Sequence, residues 1–133
     1  MRVFLDTNVL VSAFATRGLC EDVLREVLTT HELVVSSPLL KELERVLRIK
    51  FHMPRATVSE ILEFLRQETL IARAGAPPDV TLKDRDDLLI LSSALRGKAE
   101  VFVTGDKELL ELRKVKALEI LSPRGFWEKL KRA

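Results

Sequence analysis

The sequence predicts an α/β fold with a parallel sheet covered by helices on both faces. Two observations carry this expectation. Val3-Phe4-Leu5, Leu33-Val34-Val35 and Val101-Phe102-Val103 are continuous apolar runs, the pattern of strands buried on both faces. Between them lie longer stretches whose apolar residues recur at helical spacing. Strands that alternate with helices favour parallel pairing through crossovers. Open sheets of this kind bind ligands beyond the carboxyl ends of their strands, so the residues just after each strand matter most.

Arg2 to Leu5 is the first strand, ended by Asp6-Thr7-Asn8. Helical material follows, with Leu19, Val23, Leu24, Val27 and Leu28 at helical spacing. Leu33 to Val35 is a second strand. Ser37 as cap and Pro38 as first helical residue open the next helix, whose stripe is Leu39, Leu40, Leu43, Val46 and Leu47. Thr57-Val58-Ser59-Glu60 has the capping-box pattern and predicts a helix burying Val58, Ile61, Leu62 and Leu65. Leu70 to Ala72 is a short strand, and Gly75 to Lys83, with Pro77-Pro78, is a loop. From Asp86 a helix carries Leu88, Leu89, Ile90, Leu91, Ala94 and Leu95. It is apolar nearly all round and is expected to be deeply buried, with Gly97 as terminator. Val101 to Val103 is a strand ended by Thr104-Gly105-Asp106. A short helix around Glu108 to Leu112, a strand over Leu118 to Leu121 and a helix started by Ser122-Pro123 complete the chain.

With 133 residues, the chain suits one domain over 1–133, long enough to bury a core without disulfides. Hydrophobic residues at 47% and charged residues at 32% exclude a disordered polyelectrolyte. The net charge of +2 does not announce a nucleic-acid binder. Placement says more: Arg45, Arg48, Lys50 and Arg55 cluster, as do Arg113, Lys114 and Lys116, and then Arg124, Lys129, Lys131 and Arg132. Such groups suit a polyphosphate backbone, although for any single one a solvated helix face is the better reading. Cys20 is the one cysteine, which excludes an internal disulfide and a Cys-rich zinc site and makes the cytoplasm the natural compartment. The apolar run before Asp6 is too short for a signal-peptide core, and no stretch approaches the ~20 apolar residues of a membrane span.

Acid collects at the predicted functional rim. Asp6 directly follows the first strand, and Asp106 follows Val101-Phe102-Val103; if these strands are parallel, both carboxylates share one edge. Asp87 lies in the first turn of the buried helix, with Asp84 three residues earlier. Glu42 is in the second turn of the helix that starts at Ser37-Pro38. Converging carboxylates repel, so their pKa values rise unless something compensates. A hard divalent cation is the usual compensation, and it brings the chemistry of phosphodiester hydrolysis without any nucleophilic side chain. Each residue also has a plainer role. Asp6 or Asn8 suits a helix cap, Asp86 and Asp87 suit a helix N-terminus, Asp106 suits a turn, and Glu42 suits a solvated face. The convergence on one rim is what favours a site. Spacing does not separate Glu42 from Glu44, which flank the apolar stripe on opposite sides. Thr7, Asn8, Ser36 and Thr104 fall near the same rim and are candidates to orient carboxylates or bind metal waters, with local backbone bonding the better reading for Ser36. His31 and His52 read as structural or surface residues. Trp127 and most of the six Phe residues read as core, with no base-stacking platform visible.

These residues carry a resemblance. Asp6-Thr7-Asn8 after an N-terminal strand resembles the opening of PIN domains. Ser36-Ser37-Pro38-Leu39-Leu40-Lys41-Glu42-Leu43 is similar to the segment with that family's second acid. Asp84-Arg85-Asp86-Asp87-Leu88-Leu89-Ile90-Leu91 resembles its third motif, and Val103-Thr104-Gly105-Asp106-Lys107-Glu108-Leu109-Leu110 its fourth. Ile120-Leu121-Ser122-Pro123-Arg124-Gly125-Phe126 resembles the end of one prokaryotic branch labelled as toxin components of toxin–antitoxin systems. The ordered set spans nearly the whole chain. The resemblance implies a three-layer α/β/α sandwich and a nuclease that uses Mg2+ or Mn2+, often on single-stranded RNA. By position it implies Asp6, Glu42, Asp87 and Asp106 as the catalytic, metal-holding quartet, with Thr104, Asn8 and Thr7 as supporting polar residues, and it favours Glu42 over Glu44. Many relatives are VapC-type toxins, which dimerise and are inhibited by a small antitoxin. A homodimer and an antitoxin partner are therefore expected by analogy.

Two other classes compete. One is a PIN-like nucleic-acid-binding or protein-interaction module without catalysis; carboxylates at all four matched positions count against it. The other is a phosphatase or receiver-like pocket with Asp6 as nucleophile. Such enzymes commonly place a second Asp two residues later, where this chain has Asn8.

Overall fold

Val3, Phe4 and Leu5 are fully buried, and the sheet is built around the strand they form. The computed structural model describes residues 1–132. The elements run β1 (Arg2–Leu5), α1 (Thr7–Ala15), α2 (Leu19–Thr30), β2 (Glu32–Ser36), α3 (Ser37–Ile49), α4 (Arg55–Glu68), β3 (Leu70–Ala72), α5 (Arg85–Arg96), β4 (Val101–Val103), α6 (Lys107–Leu112), β5 (Lys114–Val115), β6 (Leu118–Leu121) and α7 (Pro123–Arg132). Among the described residues the strands form one sheet in the order β3-β2-β1-β4-β6-β5. Every pairing is parallel except β5 with β6. The helices cover the sheet as an α/β/α sandwich, with α1 against α2 and α3, and α5 against α3 and β2.

The central pair decides where the site falls. Phe4 pairs with Phe102 and Leu5 with Val103, so β1 and β4 end level with each other. The Phe4 and Phe102 rings stack with centroids 5.3 Å apart and planes 6° from parallel. Side chains alternate along a strand, which sets Asp6 and Thr104 on the same face as this pair, one repeat nearer the rim.

Several boundaries differ from expectation, each for a local reason. The helical material after Asp6 divides at Gly18, whose φ of 147° is open to glycine alone. Ser36, not Ser37, caps α3, its hydroxyl accepting from Leu39 N–H at 3.3 Å. Two serines in a row offered the sequence no means to choose. The capping-box pattern at Thr57–Glu60 lies inside α4, because Pro54 fixes the entry and the helix starts at Arg55. The start of α5 is capped by Asp84. That helix is not buried all round: Leu89 is 46% exposed. Gly97 ends α5 as expected, and close approach explains the residue. A Cβ there would stand 2.8 Å from Ala72 Cβ and 2.9 Å from Val34 Cγ1. The two-residue β5 was not anticipated; Lys114-Val115 is too short to show a period. Among the described residues no helix is long and apolar enough to cross a membrane.

Candidate functional site

Asp6 is the first residue beyond β1, yet its N–H still donates to Val103 O at 2.9 Å, which ties it to β4. Asp6 is buried, 3% exposed, and both of its carboxylate oxygens accept hydrogen bonds. Oδ1 accepts from Thr7 N–H at 2.8 Å, so Asp6 also caps α1. Oδ2 accepts from the Thr104 hydroxyl at 2.7 Å and from Asn8 Nδ2 at 3.0 Å. Asn8 in turn accepts from Gly105 N–H through its Oδ1 at 2.8 Å, and the Thr104 hydroxyl accepts from Asp106 N–H at 3.0 Å. The two strand ends are thereby stitched together through side chains. Asp106 caps α6 with one oxygen, which accepts from Glu108 N–H at 2.8 Å.

Asp6, Glu42, Asp87 and Asp106 all border one cleft of about 510 Å³ at the carboxyl ends of the strands. They come from four separate segments: a strand end, the second turn of α3, the first turn of α5 and the start of α6. Asp84 borders the same cleft while capping α5, its Oδ1 accepting from Asp86 N–H at 2.8 Å. Asp86 instead borders a neighbouring cleft of about 380 Å³ with Lys41 and Arg45. Glu42 touches both clefts. Glu44, which spacing did not distinguish from it, turns away and pairs with Arg48 at 3.6 Å. Thr7 and Asn8 border the main cleft. Thr104 is buried beneath it. Ser36 is not on the cleft; it caps α3 and accepts from the Ser93 hydroxyl at 2.8 Å. His31 and His52 line neither cleft.

The electrostatics follow from burial and crowding. Burial pushes the Asp6 carboxyl up to about 6, against the hydrogen bonds from Thr104 and Thr7 that favour its charge; Glu42 adds repulsion. Burial also pushes Asp87 up to about 7, helped by the charges on Asp6, Asp84, Asp106 and Glu42. This has a measurable consequence. A carboxyl held more tightly protonated in the folded chain favours folding below its unfolded value near 4 and disfavours it increasingly as pH rises toward 7. In chelator, wild type should therefore lose stability between pH 4 and pH 7. Asp87→Asn should melt like wild type at pH 4 and on the order of 3 °C higher at pH 8, a modest gain because Asp87 is partly exposed and its charge is screened by solvent. Parallel melting curves across that pH range would contradict the crowding.

Several cleft residues were not read from the sequence as neighbours of the acids, among them Ser12, Thr16, Lys50 and Phe51. Lys50 and Phe51, at the end of α3, border the same cleft as the acids. Phe51 is 47% exposed, an exception to the expectation that the phenylalanines are mostly core, which Phe4, Phe14, Phe102 and Phe126 meet. Phe64 is exposed as well, while Phe4, Phe102 and Phe126 are fully buried. A Phe just past the last turn of an amphipathic helix gave the only available signal.

Known proteins agree with this architecture. The model of the PIN domain family matches residues 2–108. No curated protein sequence matches the chain. Among solved structures it is similar to VapBC2 from Rickettsia felis, bound to a DNA fragment from its promoter. The TM-score is 0.65 and the identity 17%, with 92% of this chain and 98% of that one covered. It is equally similar to VapBC-1 from nontypeable Haemophilus influenzae, with a TM-score of 0.65 and 18% identity over 93% of this chain and 99% of that one. At such identities the structures speak for the fold, and the family model speaks for descent: the chain belongs to the PIN domain family.

Proposed function

We propose that the chain is a metal-dependent endoribonuclease that hydrolyses single-stranded RNA, acting as one domain over 1–133, with Asp6, Glu42, Asp87 and Asp106 as its catalytic acids. The observation that carries this reading is the meeting of four acids from four segments in one cleft, two of them pushed up toward neutral pH by burial and mutual repulsion.

The donor set suits magnesium or manganese. Every candidate ligand is a carboxylate oxygen, and hard cations prefer oxygen. Thr7 Oγ1, buried on the cleft, has no hydrogen-bond partner among the described residues, which leaves it free for a metal-bound water. Among the described residues no three acids, histidines or cysteines stand close enough to form a ready-made cage. Magnesium usually keeps several waters and takes one or two carboxylates directly, so it does not require such a cage. When bound, the ion supplies an acidified water and a counter-charge for phosphate. The chain's own residues do the rest. Thr104 and Asn8 fix the Asp6 carboxylate through Oδ2. The α6 cap leaves the second oxygen of Asp106 available. Glu42 and Asp87 close the cleft from α3 and α5. Water attacks the phosphorus, the P–O ester bond breaks, and the leaving oxygen takes up a proton.

The fold shared with VapBC structures supports a wider proposal: a toxin of a toxin–antitoxin pair, working as a homodimer in the cytoplasm and inhibited by a small VapB-type antitoxin. A titration of manganese and magnesium against defined single-stranded RNA, double-stranded RNA and DNA tests the enzymatic reading. Cleavage of single-stranded RNA that rises with metal and vanishes in chelator is expected. Intact RNA at saturating metal, or cleavage indifferent to chelator, would overturn it.

A further inference from the structure

We propose that Phe51 and Lys50 form a nucleotide subsite beside the acids, with the Phe51 ring stacking a base of the bound strand and the Lys50 ammonium facing a phosphate. The inference rests on the ribonuclease reading and deepens it. Glu42, Val46 and Lys50 follow one another at intervals of four along α3 and all border the cleft, so one helix face forms its wall. Eight residues of helix rise about 12 Å. The nucleotide held at Lys50 is therefore a neighbour of the one being cut.

The backbone at the end of α3 is tied down, which fixes where these two side chains leave the chain. Lys50 N–H and Phe51 N–H both donate to Val46 O, at 2.9 and 3.3 Å, and Met53 N–H donates to Leu47 O at 3.0 Å. His52 turns the chain away with φ 51°, a left-handed conformation that histidine adopts more readily than most residues. Phe51 thus sits on a tied helix end.

Composition selects the ligand. Among the described residues Lys50 is the one cation on this cleft, and it makes no ion pair. Phe51 is the one large exposed hydrophobic residue there. A cleft with acid at one end and a cation beside a flat apolar ring at the other suits a strand that alternates phosphates with bases. Stacking on a single aromatic is worth about 1–3 kcal/mol per base and tolerates any base. An apolar peptide would meet carboxylates over most of the cleft, and a basic one would pair with those carboxylates while leaving Lys50 and the Phe51 ring without a partner.

The test combines Phe51→Ala, Phe51→Trp and Lys50→Ala with single-stranded RNAs in which one base at a time is replaced by an abasic unit. Cleavage is followed with manganese, and binding by anisotropy in an Asp6→Asn background. Phe51→Ala should raise KM and weaken binding about 5- to 100-fold with kcat little changed, and Phe51→Trp should restore both. One abasic position should weaken wild type to the same extent and leave Phe51→Ala unaffected. Lys50→Ala should flatten the salt dependence of binding. If Phe51→Ala binds and cuts like wild type, or its defect is the same on every abasic RNA, the subsite is wrong while the nuclease reading stands. A loss confined to association with a second protein chain would also overturn it. If wild type neither binds nor cuts RNA, both readings fail together.

Discussion

Asp6→Asn should leave the protein folded and lower metal-dependent RNA cleavage on the order of a thousandfold. The substitution keeps size and shape and removes the charge at the centre of the acid cluster. Asparagine places an amide donor where a carboxylate oxygen now accepts, so at least one of the bonds from Thr7, Thr104 and Asn8 is lost, at about 1–3 kcal/mol. Against this, the buried charge disappears. Raising the carboxyl from 3.8 to about 6 corresponds to about 3 kcal/mol of destabilisation at neutral pH. The two effects are similar in size, so the melting temperature should move little while turnover collapses. Single-turnover cleavage beside a thermal melt separates them. A variant that cuts within threefold of wild type would remove Asp6 from the site, and an unfolded one would mean that the hydrogen bonds outweigh the relief of charge.

Phe102→Ala should cost about 4 kcal/mol of stability and lower the melting temperature by about 12–20 °C. Both rings of the Phe4–Phe102 stack are fully buried, in the central pair of strands, where neighbours have little room to collapse into a cavity. Phe102→Leu, which keeps most of the volume, should recover half or more of the loss. The pair also supports the Asp6–Thr104 bond from below, so residual activity measured well under the melting point should fall by more than unfolding explains. Denaturant unfolding with unchanged m-value, read beside kcat, checks both statements. A loss below about 1 kcal/mol would show that the centre of the sheet tolerates a void.

The three apolar runs are central strands, and continuous hydrophobicity reported them faithfully because both faces are covered. Legibility failed where structure is decided by neighbours. Leu89 belongs to an apolar helix yet faces out, since periodicity does not say how far a second layer extends. Ser36 and Ser37 are equivalent caps until the strand before them is fixed in register. At the candidate site, Asp6 and Asp106 were legible as strand ends, whereas spacing did not separate Glu42 from Glu44: the family resemblance favoured Glu42, and the turn of α3 puts it on the cleft while Glu44 pairs with Arg48. Lys50 was legible as one of a basic cluster and Phe51 was not singled out; neither could be placed beside the acids, because that relation runs through the packing of α3 against α1, which no local pattern encodes.

The hydrogen bond from Thr104 to Asp6 joins residues 98 apart in sequence, and this separation sets a clock. At synthesis rates of about 5–20 residues per second, about 5–20 seconds pass between the making of Asp6 and of Thr104. During that interval the growing chain carries Asp6 without the strand that anchors its carboxylate. Until β4 slots beside β1 the cleft has no floor, and a half-made chain still lacks Asp87 and Asp106, so it cannot assemble the four acids. Late completion of the cleft is thus a property of the strand order itself, and it lasts as long as the centre of the sheet is completed by one of its later strands.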